Sequence, residues 1–333
     1  FKQKTAYEIS LGLVGSEMCI RDRQISIVLR NVKVSKPGKA VVGGKVFAEV
    51  AARTAGGTMV LELEEGKLRV TCGEAIFELP TFPVEDFPGD TFGTTALLFE
   101  VSREKLVDGL QWALVAAANQ GTTMRPFDVV CFGSRGDSLE LVGTDGYRMA
   151  VKTVGVTSRD AWEDFLVPEA AVRDLVAVLR QVEAESVEVW SAATSGRAGE
   201  RYAAVMFRCG DVEFYVRTDL RDYVDYRELL QRYGDGGDKA RFERRRLLGA
   251  LKRLAVTADK DSRKVTFGFR KDDVAVTLNA ESRELGKGEE TIPLIAPFPR
   301  DLQIAFNVTY LAQALGKLSC DDVTLMLWGS EAA

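Results

Sequence analysis

Acidic side chains are the first candidates for chemistry in this chain, because histidine is missing. The sequence of 333 residues contains no histidine, which removes the commonest general base and the commonest protein ligand for metals. Carboxylates that converge on a divalent cation could support a nuclease or transferase, and the candidates are Asp145, Asp272-Asp273 and Asp321-Asp322. Paired aspartates at turns are more often solvated caps than ligands. The sequence therefore predicts no catalytic residue, no metal and no cofactor, with a metal-dependent carboxylate enzyme as the alternative.

The cysteines give no sign of a zinc site or of a disulfide framework. The five of them, Cys19, Cys72, Cys131, Cys209 and Cys320, are scattered and form no CxxC pair. Such usage is typical of a reducing compartment, so the sequence predicts a cytoplasmic protein. The sequence also has no run of about 20 apolar residues, which a membrane-spanning helix needs, so we expect no membrane contact.

One short segment concentrates positive charge in a chain whose formal net charge is −5. Residues 241–253 (RFERRRLLGALKR) contain six basic side chains and a single acidic one, Glu243. A positive helix on an acidic protein is the footprint of a local surface for a polyanion. The alternative, which the segment alone leaves open, is an ordinary solvated helix face.

The elements that position these residues repeat along the chain. Two kinds of amphipathic helix alternate, and each leads into strands with alternating apolar residues. Helices of the first kind begin near Lys45, near Pro168 and at Asn307, and they precede strands at 59–63, 187–190 and 323–327. Helices of the second kind begin at Ser102 and near Glu243. A repeat of about 120–140 residues decides the architecture before any single motif does. It predicts an α+β fold, with helices on one face and small antiparallel sheets on the other.

Capping and turn residues place the boundaries of these elements. Ser102 is a favourable N-cap for a helix that should cover residues 103 to about 118, and Asn307 should cap the last helix. The pair Asp145-Gly146, between two strands, predicts a hairpin turn. The glycine-rich segment 234–238 is the best candidate for a linker.

Three segments make the chain recognisable as a relative of a known family. They are 79–88 (LPTFPVEDFP), 142–150 (VGTDGYRMA) and 304–311 (IAFNVTYL), and they occur in order in the corresponding copies of the repeat. From about residue 24 to residue 333, the chain resembles the bacterial DNA polymerase III beta subunit, the sliding clamp. This resemblance implies a DNA clamp fold, in which helices line the inner face of a ring and sheets form the outside. It also implies a non-catalytic processivity factor of the replicative DNA polymerase, a homodimer closed head to tail around double-stranded DNA.

The resemblance divides the chain into clamp domains. Residues 24–94 correspond to the C-terminal half of domain 1, residues 95–236 to domain 2, and residues 237–333 to domain 3 without its last strand. Residues 1–23 fit no repeat and resemble translated sequencing-adapter read-through. We therefore expect a non-native leader and a chain that lacks both true termini.

The resemblance also predicts, by position in the ring, which basic side chains face the DNA. Lysine and arginine on the inner helices give a salt-dependent attraction to phosphates that is independent of base sequence. Arg125 belongs to a loop, 119–127, that matches the family's loop near the rim of the ring. The predicted DNA-binding residues are Lys45, Arg103, Lys105, Arg125, Arg173, Arg244, Arg245, Lys252, Arg253 and Lys317.

A second implied site takes peptides from partner proteins. In the family it lies between the second and third domains. It holds a short extended motif of the type Gln-x-x-Leu-Phe, borne by the polymerase alpha subunit, the clamp loader and other clamp-binding proteins. An apolar groove with a few polar anchors suits such a peptide. The residues at matching positions are Thr144, Gly146, Tyr147, Arg148, Met149, Val224, Leu229, Asn307 and Tyr310. For Tyr147 and Met149, packing in the core is the alternative.

The chain departs from the family's pattern at three places. Tyr147 stands where the family commonly has His, Val224 where it has Pro, and Asp128 where it has Leu. A carboxylate beside an apolar groove is unfavourable, so we expect Asp128 to weaken peptide binding. A generic β-rich interaction module with no role on DNA is the remaining alternative.

Overall fold

The computed structural model describes residues 23–27, 33–54, 58–86, 92–118, 126–158, 160–194, 204–234 and 236–328. They belong to two compact units, Phe1–Asp222 and Tyr223–Ala333, which are the first unit and the second unit below. The division into clamp domains stays a prediction.

The first unit alternates helices with antiparallel strands, as the repeat predicts. Its elements in chain order are β1 (Arg23–Ile27), β2 (Val41–Val42), α1 (Gly44–Arg53), β3 (Met59–Glu64), β4 (Lys67–Cys72), β5 (Ala75–Phe82), a 3₁₀ helix (Val84–Asp86), β6 (Phe92–Ser102), α2 (Arg103–Ala113), β7 (Val129–Arg135), β8 (Ser138–Thr144), β9 (Met149–Thr157), β10 (Phe165–Pro168), α3 (Glu169–Leu179), β11 (Ser186–Thr194), β12 (Ala204–Cys209) and β13 (Val212–Arg217). One sheet has the order β1-β13-β12-β11-β6-β9-β8-β7-β10, and a second sheet has the order β2-β5-β4-β3.

The second unit repeats this plan on a smaller scale. Its elements are α4 (Tyr226–Arg232), β14 (Asp238–Glu243), α5 (Arg244–Leu254), β15 (Lys264–Phe269), β16 (Ala275–Ser282), β17 (Gly286–Pro293), β18 (Leu302–Asn307), α6 (Val308–Lys317) and β19 (Asp322–Leu327). Four strands pair in the order β17-β16-β15-β18, and β14 pairs with β19. No helix in the described part of either unit is long and apolar enough to cross a membrane.

The same strand pairing recurs in both units. In the first unit, β6 precedes α2 and pairs antiparallel with β11, which follows α3, so that Ser102 faces Ser186. In the second unit, β14 precedes α5 and pairs antiparallel with β19, which follows α6, so that Glu243 faces Asp322. The predicted internal repeat and the predicted α+β fold class are therefore confirmed.

Amphipathic helices close the core of each unit. In the first unit, Leu106 of α2 and Leu175 of α3 are fully buried in the same apolar cluster as Phe132 of β7. In the second unit, Leu251 of α5 is fully buried with Phe267 of β15. Burying a side chain of this size stabilises the fold by about 1.5–3 kcal/mol. These apolar stripes hold the helices on the sheets, which leaves the opposite helix faces to charged residues.

A glycine in β8 sets the distance between that strand and α2. A Cβ atom at Gly143 would lie 2.1 Å from the carbonyl oxygen of Ala113 and 3.1 Å from the backbone nitrogen of Ala117. No side chain fits there, so the position requires glycine. The close approach fixes the end of β8 against the C-terminal end of α2.

The predicted length of α2 is wrong. The helix ends at Ala113 rather than near residue 118. After Ala113, two backbone hydrogen bonds span three residues instead of four. Val115 N–H donates to Trp112 O at 3.0 Å, and Ala116 N–H donates to Ala113 O at 3.1 Å. This pattern from residue i to i+3 is the 3₁₀ geometry that often closes a helix.

One predicted N-cap is confirmed and the other is not. The Asn307 side chain accepts a hydrogen bond from Thr309 N–H at 3.0 Å, as expected for a cap. The Ser102 side chain makes no capping hydrogen bond within the described residues. The backbone N–H of Arg103 instead donates to Glu185 O at 2.9 Å. The Glu185 carbonyl therefore satisfies the first open N–H group of α2, although this N–H is not the group that a side-chain cap would have bound.

Candidate functional site

The turn between β8 and β9, residues 144–149, is held rigid by its own side chains. Asp145 Oδ1 accepts from the N–H groups of Tyr147 and Arg148 at 3.0 Å each, and Asp145 Oδ2 accepts from Arg148 Nε at 3.0 Å. Thr144 Oγ1 donates to Arg148 O at 2.7 Å and accepts from Gly146 N–H at 3.1 Å. Thr144 is buried. The predicted hairpin is confirmed, and its backbone is fixed by polar groups on both sides of the tip.

This 144–149 turn presents an aromatic ring to solvent. Gly146 has a φ of +89°, and a Cβ atom there would lie 2.9 Å from Cε2 of Phe127. The next residue, Tyr147, is 87% exposed. Core packing is therefore excluded as the role of Tyr147, whereas Met149 is half-buried. Large aromatic side chains on a fixed backbone lose little entropy on binding, which suits them as anchors for a partner.

The other four residues predicted for peptide binding lie in the second unit. Val224 is half-buried just before α4, and Leu229 on that helix is 37% exposed. Asn307 and Tyr310 lie at the start of α6, where both are half-buried. The Asn307 amide oxygen is engaged by the cap of α6. The assignment of these residues to a peptide site stays a prediction.

Asp128, which the sequence places beside an apolar groove, has an ion-pair partner in the structure. Its Oδ1 accepts from Nη2 of Arg221 at 3.0 Å. The same guanidinium binds Asp219, with Nε donating to both carboxylate oxygens at 2.9 Å. Burial works against the ionisation of Asp219, but the hydrogen bonds from Arg221 outweigh it and hold the pKa of that carboxyl below its usual range. Neither Arg221 nor Asp219 could be predicted as a partner of Asp128, because both lie about ninety residues away in the sequence.

One predicted DNA-binding arginine, Arg103, is engaged within the fold. Its Nε donates to Ala184 O at 2.8 Å, and its Nη1 donates to Leu179 O at 3.1 Å. Leu179 is the last residue of α3. The guanidinium therefore satisfies a carbonyl that the helix end leaves open, and it places positive charge at the negative end of the helix dipole.

Arg244 repeats this arrangement in the second unit. Its Nε donates to Cys320 O at 2.6 Å, and its Nη1 donates to Leu315 O, in the last turn of α6, at 3.1 Å. Each of these two residues, the clip arginines, ties the start of one helix to the end of its neighbour. Because both guanidinium groups serve backbone carbonyls of their own unit, their role on DNA stays a prediction.

Two further predicted arginines form ion pairs inside their own unit. Arg173 binds Glu169, which lies one turn earlier on α3. Arg253 of α5 binds Glu290 of β17 through two hydrogen bonds, with Nε 2.9 Å from Oε2. Those hydrogen bonds hold the pKa of Glu290 below its usual value. Both arginines remain more than half exposed.

The remaining predicted cations are exposed on helices and unengaged. Their side chains form no ion pair and no hydrogen bond with another residue in the described part of the chain. They are Lys45, Lys105, Arg245, Lys252 and Lys317. Lys45 lies on α1, Lys105 on α2, and Lys317 at the end of α6. Arg125 lies outside the described residues. These five free cations are the side chains most available to an external polyanion.

The acidic candidates for catalysis are dispersed in caps and ion pairs. Asp145 binds Arg148 within the 144–149 turn, and Asp322 pairs with Arg241 at 3.7 Å. Asp272 lies in a turn with a φ of +59°. Among the described residues, no group of three or more acidic, cysteine or histidine side chains could hold a metal ion. The metal-dependent enzyme is therefore not favoured.

Comparison with known proteins identifies the family. The model of the DNA polymerase III beta subunit N-terminal domain matches residues 9–91, and the model of the C-terminal domain matches residues 235–333. Together they span more than half of the chain.

Named relatives agree with the family models. The chain is 26% identical to the beta sliding clamp of Synechococcus elongatus over 327 residues, covering 97% of this chain and 80% of that protein. It is 28% identical to the beta sliding clamp of Synechocystis over 345 residues, covering 97% and 81%. It is 23% identical to the beta sliding clamp of Escherichia coli K12 over 325 residues, covering 96% and 83%.

Solved structures share the fold. A crystal structure of the DNA polymerase sliding clamp from Pseudomonas aeruginosa with ligand has a TM-score of 0.82 and 21% identity, covering 98% of this chain and 84% of that one. A griselimycin-bound sliding clamp from the same organism has a TM-score of 0.79 and 22% identity, covering 96% and 82%. The chain belongs to the DNA polymerase III beta subunit family, the sliding clamps, which are non-catalytic processivity factors of DNA replication.

Proposed function

We propose that this chain encircles duplex DNA as half of a head-to-tail dimeric ring. In that ring it tethers the replicative polymerase alpha subunit, the clamp loader and other proteins that carry a clamp-binding motif. Each half of the ring uses the three predicted clamp domains, 24–94, 95–236 and 237–333. The family segments matched at residues 9–91 and 235–333 support the two outer domains of this division.

Weak attraction to phosphates is sufficient for a ring that slides. A closed ring stays on DNA by topology, so tight binding would only slow its movement. The five free cations supply an attraction that depends on salt and is indifferent to base sequence. They do so on a chain whose net charge is −5, which discourages binding of DNA to other parts of the surface.

Partner peptides bind, in this proposal, to the 144–149 turn of the first unit. The observation that carries the proposal is Tyr147, an aromatic side chain that is 87% exposed on a backbone fixed by Asp145 and Thr144. An exposed aromatic ring on a mobile loop would be an ordinary surface residue. On a turn stiffened from both sides, it is a preorganised anchor.

The test is peptide binding by the full chain. A fluorescein-labelled peptide with the sequence Gln-Leu-Ser-Leu-Phe is titrated and followed by fluorescence anisotropy. We expect saturable binding to the wild-type chain. The variant Gly146→Glu should lose about tenfold or more, because its side chain meets Phe127 at a strained positive φ.

Gly136→Glu is the matched control for this substitution. Gly136 also has a positive φ, +58°, and lies in a turn of the same sheet, but no atom lies within 4 Å of a Cβ placed there. It adds the same charge and similar backbone strain away from Tyr147, so its peptide affinity should equal that of the wild type. If the folded wild-type chain bound no peptide, or if both glutamate variants lost binding equally, the peptide site would be elsewhere.

We also propose that the protein works in the cytoplasm. The cysteines that the structure describes, Cys72, Cys131, Cys209 and Cys320, are all free thiols. Free thiols persist in reducing compartments, where replication factors of bacteria act.

A further inference from the structure

Beside the 144–149 turn, one cation serves two carboxylates. The Arg221 guanidinium directs Nε at Asp219, and its Nη2 bridges Asp219 and Asp128. Asp219 takes most of the hydrogen bonds, since it also accepts the backbone N–H of Arg221 at 2.9 Å. The cluster of Asp128, Arg221 and Asp219, the acidic triad, therefore carries one unbalanced negative charge.

That unbalanced charge resides mainly on Asp128. An ionised carboxylate has two oxygens that can accept about four hydrogen bonds. Asp128 receives one, at Oδ1 from Arg221, and its Oδ2 has no partner among the described residues. Its side chain is 20% exposed. A half-buried carboxylate with spare acceptors attracts a donor, and a positively charged donor most of all.

The backbone around Asp128 is anchored on both sides. The Asp128 carbonyl accepts from Glu169 N–H, at the start of α3, at 2.9 Å. The preceding residue, Phe127, lies against Gly146 in the 144–149 turn. Successive Cα atoms are about 3.8 Å apart, so one residue step and the length of the Phe127 side chain separate Asp128 from the turn that presents Tyr147.

We infer that Asp128 is a specificity-determining residue that selects partner segments carrying a lysine or arginine next to the residues that dock on Tyr147. This inference rests on the proposed peptide-binding function of the turn. An extended peptide advances about 3.4 Å per residue, so a segment that is anchored on Tyr147 and runs towards Phe127 brings one of its next few side chains to Asp128. A lysine or arginine there fills the spare acceptor positions and balances the triad.

Other side chains at that peptide position are less favourable for stated reasons. An apolar side chain would bury Asp128 Oδ2 without a hydrogen bond, which costs free energy. An acidic side chain would face the unbalanced negative charge and be repelled. A neutral amide can donate but does not offset the charge. The order of affinity should therefore be lysine, then glutamine, then glutamate.

The experiment uses the full chain and a peptide panel. The core Gln-Leu-Ser-Leu-Phe is flanked on each side by Gly-Ser linkers, and one flanking position at a time is lysine, glutamine or glutamate. Affinities are measured by anisotropy competition at a fixed low salt concentration. At one flanking position or more, the lysine peptide should bind about two- to fivefold more tightly than the glutamine peptide, as partly exposed ion pairs do. The glutamate peptide should bind more weakly than both.

Three variants attribute this ratio to the carboxylate. Asp128→Asn should bring the lysine-to-glutamine ratio to one, and Asp128→Glu should keep it above one. Asp108→Asn is the matched control, because Asp108 also holds a single surface ion pair, with Lys152 at 3.0 Å, and its loss changes the net charge equally. Thermal unfolding verifies that each variant is folded, and Asp128→Glu tests the inference should Asp128→Asn not fold.

The outcomes separate this inference from the proposed function. If the glutamine peptide binds but lysine gives no advantage at any position, the specificity role is overturned and the peptide site stands. The specificity role is also overturned if Asp128→Asn keeps the ratio or if Asp108→Asn abolishes it. If no peptide in the panel binds to the folded wild-type chain, the proposed peptide site fails, and the specificity role fails with it.

Discussion

The clip arginines separate two roles that a sequence cannot distinguish, and Arg244→Ala tests that separation. Arg244 and Arg245 are adjacent on α5 and are both predicted to bind DNA. Arg244 donates two side-chain hydrogen bonds to backbone carbonyls of the second unit. Arg245 is exposed, and its side chain makes no ion pair or hydrogen bond to the residues that the structure describes. Truncating the first should weaken the fold, and truncating the second should weaken attraction to DNA.

The expected loss of stability follows from the hydrogen bonds of Arg244. A hydrogen bond to a charged group contributes about 1.5–3 kcal/mol, and a cation at a helix C-terminus contributes about 0.3–1 kcal/mol. Arg244 is partly exposed, so we take the low end for the bonds that solvent screens. Arg244→Ala should therefore lower the unfolding free energy of the second unit by about 3 kcal/mol, the sum of two bonds at the low end and the smallest helix-end contribution. Arg245→Ala should change it by less than about 0.5 kcal/mol.

The measurements are urea unfolding and hydrogen exchange on the full chain. Exchange resolved by mass spectrometry should show faster exchange in α5 and α6 of Arg244→Ala at low urea, with the first unit unchanged. Arg244→Lys should recover only part of the loss, because an ammonium group cannot serve two carbonyls with the geometry of a guanidinium. Arg103→Ala should produce the same effect in α2 and α3 of the first unit.

In a DNA-binding measurement, Arg245→Ala should have the larger effect and Arg244→Ala the smaller one. The slope of log K against log salt becomes shallower by about 0.9 for each phosphate that the protein no longer neutralises. Arg245→Ala should reduce the slope for a duplex by up to about one, and Arg244→Ala should leave the slope unchanged under conditions where the variant is folded. The separate roles of the two arginines are refuted if the unfolding free energies of Arg244→Ala and Arg245→Ala agree within about 0.5 kcal/mol. They are also refuted if Arg244→Ala is the variant with the shallower salt dependence of DNA binding.

Three further predictions concern the first unit. Gly143→Ala should lower the unfolding free energy by about 3 kcal/mol, since its Cβ would meet the Ala113 carbonyl oxygen, and a urea titration that shows a loss below about 1 kcal/mol would contradict the close packing. Tyr147→Ala should leave stability unchanged, since the side chain is 87% exposed, but it should lower the affinity for the Gln-Leu-Ser-Leu-Phe peptide by about tenfold; equal affinity would remove Tyr147 from the site. Arg221→Gln should change the dependence of stability on pH. Arg221 holds the pKa of Asp219 below its usual value in the folded chain, so the stability that the pair contributes is present above the pKa of the unfolded chain and is lost as pH falls through the folded pKa. The difference in urea midpoint between wild type and variant should be constant from about pH 5 to 7 and shrink below about pH 4; a constant difference down to about pH 2 would show that Asp219 is not the group involved.

The architecture could be predicted because it rests on local periodicity. The apolar stripe of α2, with Leu106 and Leu110, has the helical period, and the strands alternate, so burial of one face follows from the sequence. The 144–149 turn was also predictable, since Asp145-Gly146 carries the chemistry of a tight turn. The end of α2 was not, because the 3₁₀ hydrogen bonds after Ala113 depend on how the chain meets the sheet.

The roles of the charged residues could not be predicted in the same way. Arg103 donates to backbone carbonyls that lie 76 and 81 positions away in the sequence. Every residue has a backbone carbonyl, so no residue type marks these acceptors in the sequence. Asp128 looked unfavourable because its partner, Arg221, is 93 positions away. One signal was nevertheless present, because arginine occupies the first position of both α2 and α5.

The division of labour among the predicted DNA-binding residues follows side-chain chemistry. Every engaged member of the described set is an arginine, and four of the five free cations are lysines. A guanidinium is a planar fork whose donors match fixed acceptors, so it is used on carbonyls and carboxylates inside the fold. An ammonium group is a hydrated point charge on a flexible stem, and its attraction to phosphate has little directional preference. A surface that must attract DNA equally at every position along the duplex, without fixing it at any one position, is better made of lysines. Under the proposed function, the same fold uses arginine to set the geometry of its helices and lysine to supply most of the field that acts on the DNA.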